Sequence, residues 1–116
     1  MGDWNGIVGK NERLVNVGNY GLGKRNKNGE KLIEFAEANN LKIAGTFFKK
    51  KEARKWTWVS PNAKTKNEID HILISDMTIV SNVEILSKFQ FSSDHRIGRC
   101  SFQIMKRIKY RRGKKI

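Results

Sequence analysis

The residues best suited to chemistry are an aspartate inside an apolar stretch and a histidine further along the chain. Asp70 lies in Glu68–Ser75, where polar and apolar residues alternate as in a half-buried β-strand. This places Asp70 on one face with Ile72 and Ile74, where an ionised carboxylate costs free energy unless it is hydrogen-bonded or paired. The nearest candidate partner is His95. A solvated aspartate at a strand end is the alternative, which this stretch alone favours.

Further polar groups at turn positions offer ligands for a hard cation. Asp3 and Asn5 lie among glycines in a sequence typical of a tight turn, and Asp94 precedes His95. Mg²⁺ is bound by one or two carboxylates together with water and substrate phosphate. Metal-assisted cleavage of a phosphodiester also needs groups that orient water and stabilise the transition state. Each motif alone is weak, but together they suit this chemistry.

One helix and about five strands would position these residues. Asn28 is expected to cap the helix and Asn39-Asn40 to end it. Its apolar face has four members at helical spacing: Leu32, Ile33, Phe35 and Ala36. Strands are predicted within residues 41–48, 56–59, 68–75, 79–91 and 97–105. The pattern predicts an α+β domain, a single sheet under one helix, with one apolar sheet face unburied.

Charge narrows the classes of partner. The chain has 116 residues, which predicts one domain, and a formal charge of +13 that attracts polyanions. Nucleic acid is the first expected partner; no apolar run or amphipathic helix supports a membrane. A lone cysteine, Cys100, suits a reducing compartment, so we expect an intracellular protein. With nucleic acid as the first expected partner, the expected location is the nucleus.

Two basic stretches are candidates for contact with phosphate. The first is predicted to form a solvated turn and has five cations: Lys49, Lys50, Lys51, Arg54 and Lys55. The second is a tail over residues 106–116, disordered by default, which can contact nucleic acid.

Four motifs, in order, resemble the later motifs of the endonuclease/exonuclease/phosphatase superfamily, which has the DNase I-like fold. They are Gly2-Asp3-Trp4-Asn5, Trp56-Thr57-Trp58 with Ser60-Pro61-Asn62, Ile69-Asp70-His71-Ile72-Leu73, and Ser93-Asp94-His95. The segment Gly21–Leu32, with Asn39-Asn40-Leu41 and Thr46-Phe47-Phe48, looks like the AP-endonuclease-type domain of LINE-like retrotransposons and the related craniofacial development protein 2 family. The resemblance runs from residue 2 to about residue 104.

The resemblance implies a fold and an activity. Residues 1–105 would be the C-terminal half of a four-layer α/β sandwich, with a mainly antiparallel sheet and one long helix. The activity would be hydrolysis of DNA phosphodiesters with Mg²⁺ or Mn²⁺.

The resemblance also implies roles for individual residues. Asp3 would orient or deprotonate the attacking water, with Asn5 beside it on the phosphate or the metal. Asp70 would orient His95 and stabilise its protonated form, and His95 would contact the scissile phosphate. The metal would lie near two aspartates, Asp3 and Asp94. Trp58 would lie by the site as a wall or a DNA contact, although an aromatic residue in a strand is equally a core residue. The five cations of the first basic stretch could bind phosphate in addition to forming the turn.

One departure from the family limits these expectations. The first half of the family's fold supplies an early asparagine and a metal-binding glutamate, and neither precedes Gly2-Asp3-Trp4-Asn5 here. We therefore expect impaired activity and a sheet face covered by an N-terminal half or by a second copy. The alternative is a non-catalytic basic fragment that holds nucleic acid through phosphate contacts. The charge disfavours a small phosphoester as substrate.

Overall fold

A computed structural model of the protein describes residues 2–11, 14–86 and 95–102. Asp94 and the basic tail therefore lie outside the described residues. The helix is α1 (Lys27–Ala38). The strands are β1 (Gly2–Asp3), β2 (Lys42–Ile43), β3 (Trp58–Val59), β4 (Lys66–Asn67), β5 (Asp70–His71), β6 (Leu73–Ile74), β7 (Val80–Ile85) and β8 (Gly98–Phe102). The predicted α+β class is confirmed. Within these ranges no helix has the length and apolar character needed to cross a membrane.

The described strands form four antiparallel pairs rather than the predicted single sheet: β1–β5, β2–β6, β3–β4 and β7–β8. The predicted strand over 68–75 is divided, since β5 pairs with β1 and β6 pairs with β2. Between them, the Ile72 carbonyl accepts the Ala44 N–H at 2.8 Å. Residues 68–75 therefore connect β1 at one end with β2 at the other.

Helix α1 begins earlier than predicted, because Asn26 and not Asn28 is its cap. Asn26 Oδ1 accepts the Gly29 N–H at 2.8 Å and the Ile7 N–H at 3.0 Å. The predicted left-handed end is confirmed by Asn40, whose φ is 53°. Phe35 was expected in the core but is 47% exposed.

The predicted strand over 41–48 is wrong beyond Ile43, because Ala44–Phe47 forms a 3₁₀ turn. Thr46, fully buried, donates its hydroxyl to the Ile43 carbonyl at 2.6 Å and accepts the Gly18 N–H at 2.8 Å. A local side-chain bond to the backbone of this kind competes with an extended chain.

Two apolar clusters form the core. The first packs α1 against β2 and β6, and its buried members are Val8, Val17, Leu32, Ile33, Ala36 and Ile43. The second lies against β7 and β8, with Ala44, Val80 and Val83 buried. Cys100 packs against this cluster, and burial raises the pKa of its thiol. The segment from β5 to β6 runs between the two clusters.

Candidate functional site

Strand pairing places two carboxylates opposite each other. β1 runs antiparallel to β5, with Gly2 opposite His71 and Asp3 opposite Asp70. Like charges directly opposite on paired strands repel and destabilise the pair unless another group lies between them.

His95 is that group. Its Nδ1 donates to Asp70 Oδ2 at 2.8 Å, and its Nε2 lies 3.7 Å from Asp3 Oδ2. The Asp70 side chain is 9% exposed, the His95 side chain 30% and the Asp3 side chain 53%. The exposed fraction of the side chain therefore rises from Asp70 through His95 to Asp3. A protonated His95 ring would have a negative charge on each side.

The backbone of β3 holds the His95 segment in place. His95 forms a β-bridge with Trp58, and the Arg96 N–H donates to the Thr57 carbonyl at 2.6 Å. The buried Arg96 guanidinium donates to the carbonyls of Ala53 and Trp56 at 3.3 Å. It also lies 4.0 Å over the Trp56 ring, a cation–π contact. Arg96 therefore anchors the segment one residue away from the histidine.

Thr57 positions Asp70 from the same strand region. The Thr57 hydroxyl, in a fully buried residue, accepts the N–H groups of Ile69 and Asp70 at 3.0 and 3.1 Å. One side chain therefore satisfies two backbone donors at the start of β5.

The turn after β1 is fixed from three directions. Asp3 Oδ1 accepts the Asn5 N–H at 2.9 Å, and Asn5 takes a left-handed φ of 48°. Asn28 Nδ2 donates to the Asn5 carbonyl at 3.1 Å, which ties the turn to α1. The buried His71 donates Nε2–H to the Gly6 carbonyl at 2.8 Å. The His71 side chain thus has a structural role, since it joins β5 to the turn after β1.

Three of these site residues, Asp3, Asn5 and His95, line an open groove of about 440 Å³. Its polar lining consists of Asp3, Asn5, Asn26, Asn67 and His95, and its apolar lining of Trp4, Ile7, Trp58 and Ile69. The structure therefore brings together five predicted site residues: Asp3, Asn5, Trp58, Asp70 and His95. Asp70 lies behind His95.

The first basic stretch is placed differently from the prediction in one respect. Lys55 is buried, and its ammonium donates to the carbonyls of Gly45 and Phe48 at 2.7 and 3.1 Å. It also lies 4.0 Å from Glu68 Oε2. Its expected position in a solvated turn is therefore wrong. Lys49, Lys51 and Arg54 are exposed and Lys50 is half-buried.

The donor set partly fits a magnesium ion. One ligand atom from each of Asp3, Asp70 and His95 lies within 4.8 Å of the others. Mg²⁺ prefers oxygen ligands and retains several waters. The exposed Asp3 carboxylate fits that preference, whereas Asp70 is engaged by the histidine.

Sequence reasoning missed the residues that hold the site together. Arg96, Thr57 and Asn67 were given no role, and Lys55 and Glu68 were not recognised as a buried pair. The only available signal was position: Thr57 lies between two tryptophans, and Arg96 follows Asp94-His95 directly.

Comparisons with known proteins give one set of relatives. No family model matches the sequence, and no solved structure matches it significantly. The chain is 33% identical over 110 residues to craniofacial development protein 2 of Tragulus javanicus and of Bos taurus. The alignment covers 93% of this chain and 19% of each relative, so the chain spans about a fifth of their length. The predicted resemblance to craniofacial development protein 2 is thus confirmed over nearly the whole chain.

Proposed function

We propose that the chain carries part of a DNA endonuclease site of the endonuclease/exonuclease/phosphatase superfamily. The proposed reaction is hydrolysis of a phosphodiester with Mg²⁺ or Mn²⁺. The observation that carries the proposal is His95, whose ring is fixed by Asp70 and lies beside Asp3 at an open groove. A fixed imidazole at the mouth of a polar groove suits contact with a phosphate oxygen.

The two ring nitrogens have separate tasks in this proposal. Nδ1 donates to Asp70, which fixes the orientation of the ring. Nε2 is on the side of Asp3 and the groove, where it can donate a hydrogen bond to the scissile phosphate. Asp3 can accept a proton from the attacking water, because its carboxylate is exposed.

Asp3 is also the residue that would hold the metal ion. An ion held there would supply positive charge to neutralise the phosphate and would make a nearby water more acidic. Asn5, next to Asp3 in the groove, adds an amide for the ion or the phosphate. These few ligands predict weak metal binding and slow turnover.

DNA as the substrate is supported by charge and by the groove. The formal charge of +13 favours a polyanion. Trp58 lines the groove beside His95 and can contact a sugar or a base there. A retrotransposon-type endonuclease lineage rests on the resemblance of three segments, Gly21–Leu32, Asn39-Asn40-Leu41 and Thr46-Phe47-Phe48. A DNA substrate implies a nuclear location.

A plasmid assay tests the proposal. We expect the full chain to convert supercoiled plasmid slowly to nicked circles with MgCl₂ and not with EDTA. His95→Ala should lower the rate by about 100-fold or more, since positioned acid–base groups contribute about 10²–10⁴. Glu37→Ala, which removes an exposed carboxylate of α1, is the control and should keep the rate.

The alternative is a binding module without catalysis, which the charge also favours. It predicts DNA binding that weakens steeply with salt and no nicking. That result, or equal nicking by wild type and His95→Ala, would overturn the endonuclease proposal.

A further inference from the structure

A second, smaller groove lies next to the candidate site. It has a volume of about 270 Å³ and is lined by Trp4, Asn28, Lys31, Leu32 and Phe35. We call it the Trp4–Phe35 groove. Trp4 lines this groove and also the groove that contains Asp3 and His95. A ligand held at His95 therefore has this groove as its neighbour.

The two aromatic rings are exposed but held in place. The Trp4 N–H donates to the Ile69 carbonyl at 3.1 Å, and Trp4 Nε1 donates to the His71 carbonyl at 3.3 Å. Phe35 projects from α1, and its ring centroid lies 5.8 Å from that of Trp4 at an interplanar angle of 38°. Trp4 is 37% exposed and Phe35 is 47% exposed. A flat ligand would therefore meet preorganised aromatic surface, which lowers the entropy cost of binding.

The charged residue that lines this groove is Lys31. Lys27, Lys31 and Phe35 follow one another at four-residue spacing, so they lie along one stripe of α1. The glutamates of the helix, at positions 30, 34 and 37, are not among the lining residues. An aromatic pair beside Lys31, on a protein of charge +13, is complementary to a base attached to a phosphate backbone.

We propose that the Trp4–Phe35 groove binds one unpaired base of a DNA strand whose neighbouring phosphate lies at His95. This rests on the proposed function and adds to it a preference for DNA with an unpaired nucleotide beside the cleaved bond. The groove's volume suits one base rather than a peptide helix, since pockets for larger ligands reach about 300–1,000 Å³.

Binding to two matched oligonucleotides tests the inference. One is a short labelled oligodeoxythymidylate, and the other has the same length and phosphates but abasic spacers. Phe35→Ala should weaken binding of the full chain to the first by about 5- to 160-fold, the range for loss of a base–aromatic stack. Binding to the abasic oligonucleotide should not change. Phe35→Trp should retain the base-dependent affinity.

Tyr20→Ala is the matched control, because Tyr20 is an aromatic residue of similar exposure, at 42%. It should leave both affinities unchanged. Equal losses in Phe35→Ala and Tyr20→Ala, or equal losses on the abasic oligonucleotide, would overturn the inference. A Phe35 effect seen with oligouridylate and absent with oligodeoxythymidylate would overturn the assignment to DNA.

The inference and the proposed function can fail separately. If Phe35→Ala weakens base-dependent binding while no DNA is nicked, the inference about the Trp4–Phe35 groove is supported and the endonuclease proposal is contradicted. If His95-dependent nicking occurs while Phe35→Ala binds as wild type does, the endonuclease stands and the groove fails.

Discussion

Glu68 and Asp70 are carboxylates two residues apart in one segment, and the molecule uses them in opposite ways. Glu68 is 4% exposed and is surrounded by internal partners. Its Oε1 accepts the Leu22 N–H at 3.1 Å, and its Oε2 lies 4.0 Å from the Lys55 ammonium. Asp70 instead binds His95, a side chain that remains 30% exposed and faces the groove.

The two carboxylates differ in whether the partner side chain is enclosed by the protein or lines the groove. Lys55 has its ammonium directed at two backbone carbonyls, so the Glu68–Lys55 pair is closed. Burial raises the pKa of Glu68 and lowers that of Lys55, while the attraction between the two opposes both shifts. The pair therefore holds the fold around the 3₁₀ turn, whereas the Asp70–His95 pair lies at the open groove that His95 lines. One segment thus combines a carboxylate whose partners are internal and a carboxylate whose partner lines the groove.

Removing one partner of the closed pair should have the largest effect. Lys55→Met leaves the Glu68 carboxylate buried without its cation and frees two carbonyls. We expect the free energy of unfolding to fall by about 3–5 kcal/mol, as when a buried pair is broken. Urea denaturation followed by circular dichroism measures it.

Two variants serve as controls for Lys55→Met. Lys51→Met, at an exposed position of the same basic stretch, should stay within about 0.5 kcal/mol of wild type. The double variant Lys55→Met/Glu68→Gln should recover part of the loss, because neither charge remains buried. A double variant no more stable than Lys55→Met would contradict a closed ion pair.

A change in the Asp70–His95 pair should affect the nicking rate more than the stability of the fold. Asp70→Asn retains a polar group of the same shape but loses the charge that fixes the His95 ring. We expect Mg²⁺-dependent nicking to fall by about 10- to 100-fold, as is typical when an orienting partner is changed. The rate should depend differently on pH in the variant, a change that a merely structural residue would not cause. An unchanged rate and pH profile would remove Asp70 from the site.

The sequence predicted the α+β class and the proximity of three residues, Asp3, Asp70 and His95, better than it predicted the strand pairing around them. Asp3, Asp70 and His95 were predictable because their residue types are suited to one kind of chemistry and occur at turns or strand ends. The α+β class followed from one amphipathic helix and several short alternating runs. These features are local, and local patterns can be recognised without coordinates.

Other features depend on contacts between distant segments, which no local pattern reports. The predicted strand over 41–48 gives way to a 3₁₀ turn after Ile43, where Thr46 bonds locally to Ile43 and also accepts the N–H of the distant Gly18. Lys55 was assigned to the surface because its neighbours are basic, yet Glu68 lies 13 positions further along the chain and pairs with it inside. Phe35 has core spacing on α1, but Trp4 meets it at the surface. Tertiary partners decided all three.

The titration of His71 tests whether the interior behind β5 excludes water, as the burial of Glu68 indicates. Burial lowers the pKa of His71 below its ordinary value of 6.5, more than the Gly6 carbonyl and Asp70 raise it. At pH values between the folded-state pKa and 6.5, the unfolded chain binds a proton at His71 that the folded chain does not. The contribution of His71 to the free energy of unfolding therefore falls as the pH is lowered through 6.5. His71→Gln keeps a donor but cannot titrate.

We therefore expect His71→Gln to lose less stability than wild type when the pH is lowered from 7 to 5. At pH 7 the variant should be less stable by about 1 kcal/mol, the cost of a poorer hydrogen bond to Gly6. Urea denaturation at several pH values gives both numbers. Parallel pH profiles for the two proteins would show that His71 titrates alike in both states.

Asp3 should show the smallest effect on folding and completes the contrast with Glu68. Its side chain is 53% exposed, and asparagine retains the oxygen that accepts the Asn5 N–H. Asp3→Asn should therefore change the free energy of unfolding by no more than about 0.5 kcal/mol. Loss of one of two opposed negative charges in the β1–β5 pair also offsets any weakening of the turn. A loss of several kcal/mol would mean that Asp3, like Glu68, supports the fold, and the distinction between the two kinds of carboxylate would then fail.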